Sequence, residues 1–138
     1  LGSCIALIAY DPVAKAGGMA HIMLPGKSPK NGVLNKYAEN AIPALLDAMF
    51  LHGANKKNIR IGIIGGANVL QKKDDRLVES IINSVIKTID DLKIAIIASS
   101  LGGHERRSAS LDISRGELFY TIGDSKNRLL CSFFEHFD

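Results

Sequence analysis

Apolar residues fall along this chain in two rhythms. Short unbroken runs occupy residues 4–10 (CIALIAY), 19–24 (MAHIML), 60–64 (RIGII) and 92–100 (LKIAIIASS), each bounded by turn-forming residues, as strands are. Residues 36–52 and 74–89 instead repeat their apolar positions at intervals of three and four. The first stripe, Ala38, Ala41, Ile42, Leu45 and Met49, predicts a helix capped by Asn35 and ended by Gly53, with Pro43 bending it or lying in an early turn. The second stripe, Leu77, Val78, Ile81, Ile82, Val85, Ile86 and Ile89, predicts a helix lying on a sheet.

Between the first two strands, DPVAKAGG supplies proline and glycine for a turn, so the pair reads as a hairpin. PGKSPKNG, residues 25–32, is the most loop-like stretch and the one most able to flex over a neighbouring site. SASLDI and ELFYTI, joined by a Ser-Arg-Gly turn, read as a closing hairpin over 108–122. The tail 127–138 carries Leu129, Leu130, Phe133, Phe134 and Phe137 and reads as a short docking helix. Hairpins give antiparallel pairs and strand-helix-strand units parallel ones. The expected fold is therefore an α/β layered sandwich with a mixed sheet or sheets flanked by two main helices. A single domain over 1–138 is expected, with 123–138 as a C-terminal extension. The start on leucine, a few residues ahead of a strand, suggests that native residues precede it.

Composition narrows the function classes. Hydrophobic residues make up 46% and charged residues 22%, enough for a packed core without disulfides or metal. The net charge of +3 is too mild, and its basic residues too scattered, to argue for nucleic acid. The longest apolar runs are far short of the roughly 20 residues a membrane helix needs, so no membrane insertion is expected. Two cysteines at opposite ends suggest a reducing cytoplasm more than a secreted disulfide framework. No CxxC, HExxH or carboxylate cluster accompanies the four histidines, so neither metal nor cofactor is expected. The glycine pair Gly65-Gly66 follows a strand but lacks the GxGxxG or GK[ST] context of a nucleotide site.

The chemistry centres on Cys4, in LGSC, and His21, in GGMAHIMLP. With a turn at residues 11–14, positions whose numbers sum to 25 face each other, which sets Cys4 opposite His21. Directly opposed residues share a face with Cβ atoms about 5 Å apart, near enough for an imidazole to hold a thiolate and pass its proton to a leaving group. Free cysteine is also among the most buried residue types, and a histidine in an apolar strand commonly serves packing, so the spacing leaves both readings open.

The order of motifs goes further. LGSC, GGMAHIMLP, KYAENAIPALLDAM, IGGANVL, and LGG followed by Arg107 resemble, from Leu1 to about Tyr120, the chemoreceptor glutamine deamidase family of bacterial chemotaxis, CheD. The resemblance implies a layered α/β fold like that of toxin-type deamidases, with Cys4 as nucleophile and His21 as general base and acid. It also implies a threonine six positions before the cysteine, which falls ahead of Leu1. This chain departs from the family pattern where QKKDDR follows VL directly, and where Arg106 stands in place of the glycine that tends to precede the family's arginine.

The reaction that the resemblance implies is hydrolysis of a receptor glutamine to glutamate with release of ammonia, through a Cys thioester. The same apparatus would open a glutamyl methyl ester. Backbone N–H groups near Ser3 and Cys4 are the candidate oxyanion donors, Gly2 leaves room for substrate, and Asn68 is a site-wall or turn-fixing amide. Ser3 either donates toward the thiolate or satisfies its own turn. Arg107 reads as a solvated charge by default, with an acidic receptor surface as its functional alternative. Tyr37, Cys131, His52, His104 and His136 read as structural. The implied partners are the cytoplasmic helices of chemoreceptors and a CheC-type phosphatase. A regulatory module that binds and stimulates the phosphatase with little catalysis of its own is the alternative.

Overall fold

The first strand is apolar from Ile5 to Tyr10 because it is covered on both faces and flanked on both edges. In the computed structural model, which describes residues 1–135, β1 (Ile5–Asp11) is buried along its whole length. It lies between β2 (Ala16–Ile22) and β3 (Arg60–Gly65), antiparallel to both, and β4 (Ala95–Leu101) runs parallel to β3 at the edge. Ile5, Leu7 and Ala9 point to one face, under α1 (Ala38–Leu51) and α2 (Arg76–Asp91). Ala6, Ile8 and Tyr10 point to the other, where they meet Leu118, Cys131 and Phe133 of a second sheet. That sheet is an antiparallel meander of β5 (Arg107–Asp112), β6 (Glu117–Ile122) and β7 (Arg128–Ser132). The layers are thus helices, mixed four-stranded sheet, three-stranded sheet, in accord with the α/β sandwich expected.

Helix α1 lacks the predicted Asn35 cap: a 3-10 turn (Leu34–Lys36) precedes it, and its N-cap Tyr37 makes no capping bond through its side chain. Pro43 stands inside the helix and does not end it. The helix seats closely because β2 has a glycine beneath it. A Cβ on Gly18 would lie 2.6 Å from a Leu45 methyl. On α2 the buried stripe narrows to Val78, Ile81, Val85 and Ile89, while Leu77 and Ile86 are exposed. Strand β4, expected to be buried, is half-exposed because nothing pairs with its outer edge among the described residues.

Two expectations are corrected. The tail forms strand β7 where a docking helix was expected, since alternate residues here serve a sheet: Cys131 and Phe133 turn inward and Leu129 outward. Phe137 and His136 lie outside the described residues. The first hairpin keeps a four-residue turn but is shifted by one residue from the expected register. Ile5 pairs with Ile22 and Ala6 with His21, so facing positions sum to 27 and residues 12–15 form the turn. The buried Asp11 carboxylate sets this geometry. Its Oδ1 accepts from the N–H groups of Val13 and Ala14 at 2.8 and 3.0 Å, its Oδ2 from Asn55 N–H at 2.8 Å, and Lys15 closes the turn at φ 51°.

Candidate active site

Cys4 stands just before β1, half-buried, at the end of the sheet where three chain segments converge. Its carbonyl accepts from Gly66 N–H at 2.9 Å, and the Gly2 carbonyl accepts from Ala67 N–H at 2.9 Å. Leu1 exchanges two hydrogen bonds with Arg107, 2.8 Å from its nitrogen and 3.0 Å to its carbonyl. The stretch 1–4 is therefore held on one side by the loop after β3 and on the other by the start of β5. Those two supports are tied to each other, because Gly102 N–H donates to the Gly65 carbonyl at 3.2 Å and Asn68 N–H to the Gly103 carbonyl at 2.8 Å.

Gly65 is what allows this convergence. Its φ is +123°, and a Cβ built there would collide with the Cys4 carbonyl. Only a residue without a side chain fits, and L-residues with a Cβ rarely adopt that backbone angle in any case. Arg107 braces the second loop from beneath. It is buried, donating from Nε to Ser100 Oγ at 2.9 Å and from Nη1 to the Gly102 carbonyl at 2.6 Å. The expectation of a solvated charge is thus overturned, because the guanidinium is spent on the backbone beside the site.

A cleft of about 330 Å³ opens over Cys4, and Gly2, Ser3 and Asn68 line it with the cysteine. Asn68 is the turn-fixing amide: its Nδ2 donates to the Lys72 carbonyl at 2.7 Å and its Oδ1 accepts from Lys72 N–H at 2.9 Å, closing the loop 68–72. The outer wall comes from residues whose sequence pattern pointed elsewhere or carried no signal: Leu70, Lys72, Asp75, Leu77 and Arg106. Leu77 belongs to an apolar stripe that reads as core, and only its 44% exposure reveals a different task.

His21 does not line this cleft. It is exposed on the edge strand and borders a separate depression with Asn35, Ala41 and Leu45. The direct Cys4–His21 opposition inferred from a sum of 25 is corrected, because His21 faces Ala6. The ladder ends at Ile5 and Ile22, so Cys4 lies one residue before it and His21 one residue inside it, at the same end of the β1–β2 pair.

The remaining candidates stand apart. Cys131 is buried between the sheets, where desolvation, with the charge of Glu135 adding to it, pushes its thiol up to about 11. His52 follows α1 as its C-cap, and His104 Nδ1 lies 3.1 Å from the Asn68 carbonyl oxygen. Among the described residues no group of three His, Cys, Asp or Glu is placed to hold a metal ion, and no helix is long and apolar enough to cross a membrane.

Comparison with known proteins finds relatives over most of the chain. The family model described as CheD chemotactic sensory transduction matches residues 23–121. A probable chemoreceptor glutamine deamidase CheD of Chlorobium luteolum is 38% identical over 138 residues, covering 99% of this chain and 69% of that protein. The chemoreceptor glutamine deamidase CheD of Thermotoga maritima is 36% identical over 118 residues, 86% of this chain and 75% of that protein. The corresponding Clostridium kluyveri protein is 34% identical over 122 residues, 84% of this chain and 75% of its own. The family match begins beyond both Cys4 and His21, whereas the Chlorobium alignment extends over almost the whole chain. On the strength of the family match and of these relatives, the chain belongs to the CheD family of chemotactic sensory transduction proteins.

Proposed function

We infer that this protein is a chemoreceptor glutamine deamidase, the activity by which its relatives are named, and that Cys4 is its nucleophile. The observation that carries the assignment to Cys4 is its position: a half-buried free cysteine, backbone-locked, in the wall of a cleft formed by three converging segments. The Cys4 thiolate attacks the glutamine carboxamide carbon, forming a C–S bond and a tetrahedral oxyanion. His21, at the same end of the β1–β2 pair, delivers a proton to the departing nitrogen, so ammonia leaves and a thioester remains. Water, deprotonated by the now neutral imidazole, attacks that thioester, releasing glutamate and regenerating the thiolate.

Support for an oxyanion hole comes from backbone accounting. The carbonyls of Gly2 and Cys4 are engaged, but among the described residues the N–H groups of Ser3 and Cys4 have no hydrogen-bond partner. Free donors flanking a nucleophile suit a developing negative charge, and losing one such donor costs about 3 kcal/mol in other enzymes. No step calls for a cofactor, and a glutamyl methyl ester would pass through the same thioester.

The substrate in this reading is the cytoplasmic helical region of a chemoreceptor, which places the protein in the cytoplasm. A CheC-type phosphatase is proposed as a second partner competing for the Cys4 cleft, whereas a purely regulatory module is not favoured by the names of the relatives. The test is ammonia release from a purified receptor cytoplasmic fragment, with mass spectrometry of its glutamines. Wild type is expected to convert glutamine to glutamate, Cys4→Ser to be inactive and His21→Ala to be slowed at least a hundredfold. Full activity of Cys4→Ser would refute the mechanism, and inhibition by the phosphatase partner would support a shared cleft.

A further inference from the structure

We propose that Arg106 is a specificity-determining residue of the Cys4 cleft, selecting glutamines that have a carboxylate-bearing residue close by in the substrate; the proposal rests on the deamidase reading above. Arg106 lines the same cleft as Cys4, and its Nη1 lies 3.6 Å from where a Cβ on Gly2 would stand, two residues from the nucleophile. Its backbone is fixed, since its carbonyl accepts from Gly123 N–H at 2.8 Å and the next residue is the buried Arg107. Its side chain is exposed and, among the described residues, is in no salt bridge.

The division of labour between the two arginines makes the assignment specific. Arg107 spends its guanidinium inward on Ser100 and Gly102, where it holds the loop. Arg106, the residue just before that strand begins, is left to solvent at the cleft rim. Lys72 is a second cation of that wall and, among the described residues, is likewise in no salt bridge. The cleft's one carboxylate, Asp75, is occupied as the N-cap of α2, its Oδ1 accepting from Val78 N–H at 3.4 Å. A substrate carboxylate near the reacting glutamine therefore meets two cations that are in no salt bridge among the described residues against the single carboxylate of Asp75, while Leu70 and Leu77 offer apolar contact on the same wall. Guanidinium is suited to the task because it presents paired donors to a carboxylate.

The experiment uses the full protein and a pair of glutamine peptides identical except for Glu or Ala beside the glutamine, with deamidation read by ammonia release and mass spectrometry. Wild type is expected to favour the Glu peptide about two- to fivefold in kcat/KM at low salt, the range of an exposed ion pair, and to lose the preference near 0.5 M salt. Arg106→Glu is expected to invert the preference and Arg106→Gln to bring the ratio close to one, with Lys56→Gln, far from the cleft, leaving it as in wild type. A ratio near one in wild type, or one unchanged in Arg106→Glu, overturns the proposal while leaving the deamidase reading intact. Absence of deamidation of both peptides and of the receptor fragment refutes that reading itself; peptide binding to the Cys4→Ser protein, measured by fluorescence anisotropy, then decides the charge preference separately.

Discussion

Replacing Gly65 by alanine is the sharpest test of how Cys4, the proposed nucleophile, is held. The backbone at this position has φ +123°, and the added methyl would run into the Cys4 carbonyl, with the Cys4 carbonyl carbon and Ile5 Cα each only 3.3 Å away. Two costs therefore combine: backbone strain of about 1–3 kcal/mol, and about 1–3 kcal/mol more for forcing apart two backbones. Gly53→Ala separates them, because Gly53 also has a positive φ, +91°, but nothing lies within 4 Å of its Cβ position. Gly53→Ala is expected to lower stability by the strain alone and to leave deamidation unchanged. Gly65→Ala is expected to unfold roughly 3–10 °C below Gly53→Ala, as the additional clash implies for a domain of this size. It also pushes Cys4 away from Gly66 N–H, and a displacement near 1 Å at a nucleophile costs about a hundredfold in rate. Thermal melts by circular dichroism and kcat/KM, measured well below each midpoint, read the two effects separately. A folded Gly65→Ala protein with wild-type kcat/KM would refute the claim that this glycine sets the position of the proposed nucleophile, Cys4.

Three further outcomes are expected. With its thiol pushed up to about 11, Cys131 is only roughly 0.03% thiolate at pH 7.5, so native protein should take up one equivalent of iodoacetamide, at Cys4; peptide mapping that finds Cys131 labelled at a comparable rate would contradict its burial. Burial, with Asp112 and Asp11 adding to it, raises the Tyr10 phenol; the folded state then holds its proton more tightly than the unfolded one, so stability should fall as pH rises through 10. Tyr10→Phe, which loses the 2.5 Å bond to the Ile113 carbonyl, should cost about 1 kcal/mol at pH 7 in urea melts and flatten that alkaline decline. Arg107→Ala removes the donors to Ser100 and Gly102 and should destabilise by about 3 kcal/mol or more while slowing deamidation, with a neutral effect on both counting against its bracing role.

Much of this protein was legible from local pattern. The runs at 4–10 and 60–64, the stripes of α1 and α2 and the hairpin at 108–122 are decided by side-chain periodicity and turn residues, which act over a few neighbours. The motifs around Cys4 and His21 marked the family and the candidate nucleophile for the same reason, since they are short words read in order. What escaped the sequence depends on contacts distant along the chain. The hairpin register turned on one buried carboxylate, Asp11, whose second oxygen is satisfied by Asn55. The tail became a strand because β6 offered an edge and the inter-sheet core had room for Cys131 and Phe133, and the same apolar residues suit either a helix or a strand. Arg106 and Arg107 are chemically alike and adjacent in sequence, yet one is buried beneath a loop and the other stands at the cleft rim. Only the packing of Arg107 against that loop tells them apart, and that packing exists only once residues 1–4, 65–68 and 102–107 have come together.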